Sequence, residues 1–92
     1  MHPLVTQAHI DAFQRDGVVL IEGLFADHIE TIRDGIEMNM EQPGPYAAEN
    51  LKAGEDGRFF DDYCNWTRIP QFEEVIRKSP AAEVAADLMQ SR

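Results

Sequence analysis

The sequence predicts a mostly helical α+β segment, with about four helices and one or two short strands. Three observations carry this. Ile29, Ile32, Ile36 and Met40 recur at steps of three and four, the spacing that lines one face of a helix. Val18-Val19-Leu20-Ile21 is a continuous apolar, largely β-branched run stopped by Gly23, which reads as a strand buried on both faces. Helix punctuation is the third: Thr6, Asp27 and Ser79 stand where N-caps belong and Gly17 where a C-cap belongs.

Taken in order, Thr6 opens a short helix whose apolar stripe is Val5, Ile10 and Phe13. Asp16-Gly17 ends it, because glycine enters the left-handed conformation without steric penalty. The strand Val18–Ile21 follows. A second helix is predicted from Asp27 to Glu41, with Asp27 and Glu30 at the end where the helix dipole favours negative charge. Residues 42–58 hold two prolines and three glycines but few large apolar groups, and read as a long flexible loop. Phe59, Phe60, Tyr63, Trp66 and Phe72 gather in the next stretch. A third helix is predicted over Pro70–Lys78, proline being tolerated in a first turn. Ser79-Pro80 then opens a last helix from Ala81 to Gln90, with Val84, Leu88, Ala81 and Ala85 on its apolar face. The chain is thus one segment, 1–92: helix–strand–helix over 5–41, a loop over 42–58, and an aromatic stretch with two helices over 59–92. A lone strand cannot satisfy its own backbone donors and acceptors. The only partner in sight for Val18–Ile21 is the weak stretch around Phe59, so the strand expects neighbours that the chain scarcely supplies.

Charge and composition exclude several functions. Seventeen acidic against eight basic residues give a formal charge of -9 and a pI near 4.5. A nucleic-acid binder needs a basic face to displace counterions from phosphates, and an anionic membrane surface makes the same demand. The longest aliphatic run is Val18–Ile21, far short of the ~20 apolar residues of a transmembrane helix. The first residues lack the basic and apolar regions of a signal peptide, and Cys64, alone, forms no disulfide framework or Cys-based zinc site. A soluble, acidic, cytoplasmic chain is expected, with no nucleic-acid or membrane partner.

His9-Ile10-Asp11 with His28 supplies the residue types of a facial iron triad, and His28-Ile29-Glu30 a second such pair. On a helix, however, residues two apart point about 200° from each other around the axis, so neither pair grips one ion and no metal ligand is assigned. His2 is expected in a frayed terminus. Cys64 has no histidine nearby to draw off its proton and reads as a small buried hydrophobe. Asp61-Asp62 and Glu73-Glu74 read as solvated charge, because a catalytic carboxylate needs a cleft that shifts its pKa. No calcium loop aligns, and the glycines match no phosphate loop. The serines, Ser79 and Ser91, lack the Asp-Ser-Leu context of an acyl carrier protein. No catalytic residue is assigned within the segment.

Two stretches resemble a known family. Ile10-Asp11-Ala12-Phe13-Gln14-Arg15-Asp16-Gly17-Val18-Val19-Leu20-Ile21-Glu22-Gly23-Leu24-Phe25 resembles the start of phytanoyl-CoA dioxygenase-like proteins, where a helix ending "F-x-x-D-G" runs into "V-V-x-I-x-G-L-F". Phe59-Phe60-Asp61-Asp62-Tyr63-Cys64-Asn65-Trp66-Thr67-Arg68-Ile69-Pro70 is similar to a stretch of bacterial members. It precedes a helix ending near "S-P-x-A-x-x-A-x-x-L-M", matched here by Ser79 to Met89. The resemblance covers almost the whole chain. It implies an Fe(II)- and 2-oxoglutarate-dependent oxygenase on a double-stranded β-helix, or jelly-roll, that hydroxylates a small-molecule substrate. The family's His-x-Asp pair, distant His and cosubstrate-gripping basic residue lie on core strands beyond this region, so Fe(II) and 2-oxoglutarate would be bound by the complete enzyme and neither by this segment. His9-x-Asp11, in the first helix, is not carried over as the triad. Val18–Ile21 would then join a jelly-roll sheet, with the amphipathic helices covering it. The resemblance further suggests that Tyr63, Asn65, Trp66 and Arg68 line or brace the substrate entrance as part of a lid. The competing reading has Tyr63 and Trp66 packing the helices onto the sheet. Taken alone, the segment should expose its apolar faces and self-associate. A different class of function, a free-standing acidic interaction module using its aromatic and Ile/Met surfaces, stays open beside the oxygenase.

Overall fold

The computed structural model describes residues 1–91. In chain order its elements are α1 (Gln7–Asp16), a 3-10 turn (Ala26–His28), α2 (Ile29–Glu41), β1 (Ala48–Glu49), β2 (Phe60–Asp61), α3 (Pro70–Lys78) and α4 (Ala81–Met89). The two strands form an antiparallel ladder with Ala48 opposite Asp61 and Glu49 opposite Phe60. The mostly helical α+β class is as predicted. The residues cluster into two compact units, Met1–Ile29 with the chain from Ile76 onward, and Glu30–Val75.

In the first unit, Thr6 caps α1 in a reciprocal box: its hydroxyl accepts from the His9 amide at 3.2 Å, and His9 Nδ1 accepts from the Thr6 amide at 3.1 Å. An imidazole thus takes the part usually played by Glu or Gln. Gly17 ends the helix in the left-handed region, φ 74°, its N–H donating to the Phe13 carbonyl at 2.7 Å. Val5 and Ile10 meet Val84 of α4 in a small buried core, with Ile21, Leu24 and Leu88 packed against it. Gln14 Nε2 adds a 2.8 Å bond to the Leu88 carbonyl. His2 is not frayed: its amide donates to Asp87 Oδ2 at 3.0 Å, and its Nδ1 accepts from the Leu4 amide at 3.1 Å. Ser79 is buried and accepts from the Ala81 amide at 3.4 Å; Pro80, without a side-chain cap bond, holds the N-cap position that the sequence assigns to Ser79.

Val18–Ile21 departs most from expectation. It forms no strand. Val18 and Leu20 are 70% and 77% exposed instead of buried on both faces, while Ile21 packs on the core. The physical reason is the missing partner: the stretch around Phe59 pairs with β1, and no other strand exists among the described residues to receive this one.

The second helix also differs from the periodicity. The 3-10 turn takes Asp27, so α2 begins at Ile29. Its buried positions are Gly35 and Asn39, whereas Ile36 of the apolar stripe is exposed. Gly35 allows the close approach of Phe72, whose ring atoms Cε1 and Cδ1 would lie 2.7 and 2.9 Å from a Cβ placed there. Ile69, 1% exposed, is the most enclosed large hydrophobic side chain among the described residues. Residues 42–58 carry β1 and so are not loop throughout. The connection from β1 to β2 is exposed except at Leu51 and turns through Gly54 (φ 87°) and Gly57 (φ 85°).

Candidate functional site

Tyr63, Asn65, Trp66 and Arg68 lie on the turn that leads from β2 into α3. Asn65 shapes it, its carbonyl accepting from the Arg68 and Ile69 amides at 3.0 and 3.2 Å. Ile69 anchors the end of the turn in the interior. Cys64 takes a left-handed backbone, φ 56°, and its side chain is exposed. The expectation of a small buried hydrophobe is thereby corrected: the turn points Cys64 outward although aromatic residues flank it in sequence.

Asp62 organises the turn. Its Oδ1 accepts from the Tyr63 amide at 2.8 Å and its Oδ2 from the Gly44 amide at 2.9 Å. The Arg68 guanidinium stands 3.6 Å from Oδ2. Arg68 in turn donates to the Gln42 carbonyl at 2.6 Å and to Asn39 Oδ1 at 3.0 Å. The Asp62 side chain is 0% exposed and that of Arg68 36%. Asp62 is therefore not the solvated charge that its place in an Asp-Asp pair suggests. The Gly44 N–H foremost, then the Tyr63 N–H, the Asn65 side chain and Arg68, hold its carboxyl below the usual carboxylate range, and burial opposes them.

Around this network the rings of Tyr46 and Tyr63 stack at 4.8 Å with 22° between their planes. Both tyrosines are more than half exposed, Phe59 likewise, and Trp66 is also on the surface. Arg58 lies 5.2 Å from the centre of the Phe60 ring and pairs with Glu49 at 2.5 Å; Asn50 bonds Asp61. Pro43, Ala47, Ala48, Glu49 and Phe60 line a hollow of about 180 Å³, smaller than the roughly 300 Å³ at which small-molecule pockets begin. Tyr46 escapes sequence reasoning altogether, because its importance depends on a ring 17 positions away.

The first unit holds a cleft of about 370 Å³ with His2, Asp27, His28, Lys78 and Glu83 on its walls, both signs of charge facing one space. Among the described residues no three of His, Cys, Asp and Glu come together to hold a metal ion. His9 and Asp11 are occupied locally, His9 in the α1 cap and Asp11 as acceptor of a 2.9 Å bond from Gln7. The described residues thus offer no ligand set for Fe(II), and no step of chemistry is assigned to them.

No protein-family model, curated protein or solved structure matches the chain.

Proposed function

We propose that this chain is the N-terminal part of an Fe(II)/2-oxoglutarate-dependent dioxygenase of the phytanoyl-CoA dioxygenase-like family, a cytoplasmic enzyme that hydroxylates a small-molecule substrate. In this reading the segment is scaffold and entrance. The iron and cosubstrate belong to a double-stranded β-helix built from residues outside it. One observation carries the reading beyond the sequence motifs. Val18–Ile21 is held to the core through Ile21, yet exposes Val18 and Leu20 and has no ladder partner among the described residues. Apolar side chains and unpaired backbone together mark an edge suited to a neighbouring strand, which a jelly-roll sheet would provide. Tyr63, Asn65, Trp66 and Arg68 are the proposed entrance residues, and the exposure of Tyr63 and Trp66 favours an entrance over buried packing. No helix of the described residues is long and apolar enough to cross a membrane.

The same exposed groups also suit the second reading, an acidic module of charge -9 that binds a partner through its aromatic and Ile/Met surfaces and has no activity of its own. Sequencing the coding DNA past the codon for Arg92 separates the two. A frame that continues for some two hundred residues, with a His-x-Asp, a later His and an Arg on predicted strands, is the expected result. A stop codon directly after Arg92 would sink the oxygenase and leave the module.

A further inference from the structure

We infer that Asp62 is the positioning residue of the aromatic entrance: one enclosed carboxylate fixes Gly44 against Tyr63 and thereby sets the Tyr46–Tyr63 stack. Calling that surface an entrance rests on the oxygenase reading; the mechanical role of Asp62 does not.

Gly44 and Asp62 are 18 residues apart in sequence, and between them run β1, the exposed connection and β2. Holding such a strap closed opposes its chain entropy. Its other ties lie at the surface: a ladder of two residues per strand, extended by the Asn50 N–H to the Phe59 carbonyl at 2.6 Å, the Arg58–Glu49 pair with both side chains close to half exposed, a long 3.5 Å bond from Arg58 to the Met40 carbonyl, and the exposed Asn50–Asp61 bond. Pairs in water contribute little. Among these ties Asp62 has the most enclosed side chain; its bond to Gly44 is part-buried and its bond to Tyr63 lies at the surface, and an unmade bond on the enclosed oxygen is costly. Its two oxygens divide the work, Oδ2 taking the Gly44 amide and Oδ1 the Tyr63 amide. Tyr46 is two residues beyond Gly44 and Tyr63 directly follows Asp62. Fixing those two amides therefore fixes where both rings start. Arg68 backs the carboxylate and ties it to Asn39 and Gln42 at the end of α2, so the strap and the entrance turn share one anchorage. The carboxylate is needed specifically. An asparagine retains one acceptor oxygen and turns an NH2 toward a backbone N–H or toward Arg68, all of them donors.

The test is residue-resolved amide exchange and tyrosine ring chemical shifts on the 92-residue chain, comparing wild type with Asp62→Asn, Asp62→Ala and Tyr46→Ala. Asp62→Ala is expected to speed exchange at Gly44 and Tyr63 by about ten-fold or more and to erase the mutual ring-current shifts, with the amides of α1 and α4 unchanged. Asp62→Asn should release at least one of the two amides. Tyr46→Ala should leave both protected, because the stack follows from the pin. Unmoved ring signals in Asp62→Ala would overturn the assignment. So would equal acceleration throughout α1 and α4, which would make Asp62 a general stabiliser, or loss of Gly44 protection in Tyr46→Ala, which would make the stack the cause. None of these readouts needs iron, cosubstrate or a barrel, so the oxygenase reading and the pin fail by different results.

Discussion

Gly35 stands in the interior of α2, where glycine weakens a helix by roughly 1 kcal/mol relative to alanine. The Phe72 ring explains why it is there. An added methyl would meet two ring carbons inside 3 Å and Gln71 Cβ at 3.1 Å, and overpacking of this kind costs about 1–3 kcal/mol. Gly35→Ala should therefore lower stability on balance, read as a reduced urea midpoint. A raised midpoint would mean that Phe72 swings aside freely. Trp66→Ala in a complete enzyme separates entrance from packing: a large rise in KM at an unchanged melting temperature is expected, and a lost fold would favour packing. Single residues were legible where the signal was local. Thr6 and Gly17 announced a cap because their partners lie within four positions. Asp62 did not. It shares its immediate context with Asp61, and what separates them is the Gly44 amide on the far side of a strap.

Among the elements, the helices were readable and the strand was not, for one physical reason. A helix satisfies its backbone within itself, so Pro70–Lys78 could be bounded to the residue from local pattern alone. A strand needs a second strand, and composition cannot say whether the chain contains one. Val18–Ile21 has strand composition and, among the described residues, no partner strand. The α2 stripe failed differently: its Ile spacing is helical, but the unit closes over Gly35 and Asn39, where small size and a hydrogen bond to Arg68 matter more than apolar area. Leu20→Lys follows from the unpaired segment. At 77% exposure the substitution should shift the unfolding free energy of the 92-residue chain by less than ~0.5 kcal/mol. In a complete oxygenase it should sharply lower soluble, folded yield. An equal loss in both would mean that the segment is already packed without a partner.

For the molecule as a whole, charge governs behaviour. Association through the exposed apolar surface must work against -9 on each copy, a repulsion that salt screens. Sedimentation should show more dimer or larger assembly as ionic strength rises. A monomer at high concentration and high salt would count against self-association. Acid acts selectively. Because Asp62 holds its proton less tightly folded than unfolded, its contribution is complete above the ordinary carboxylate pKa of about 4 and is lost as pH falls through the lower folded value. Near-UV dichroism of the tyrosine pair should stay constant from neutral pH down to about 4 and decline only below it. A decline well above that range would assign the stack to some other group.

The strap between Gly44 and Asp62 also has an engineering consequence. Its tip, turning at Gly54 and Gly57, contributes to neither the Asp62 anchorage nor the β1–β2 ladder, so the tip can change length while its base stays put. Doubling such a connection costs only about 0.6 kcal/mol in closure entropy. The tip is accordingly a splice point where related chains could differ by insertion, and where a peptide tag, a fluorophore or a protease site could be introduced without disturbing the aromatic surface below it.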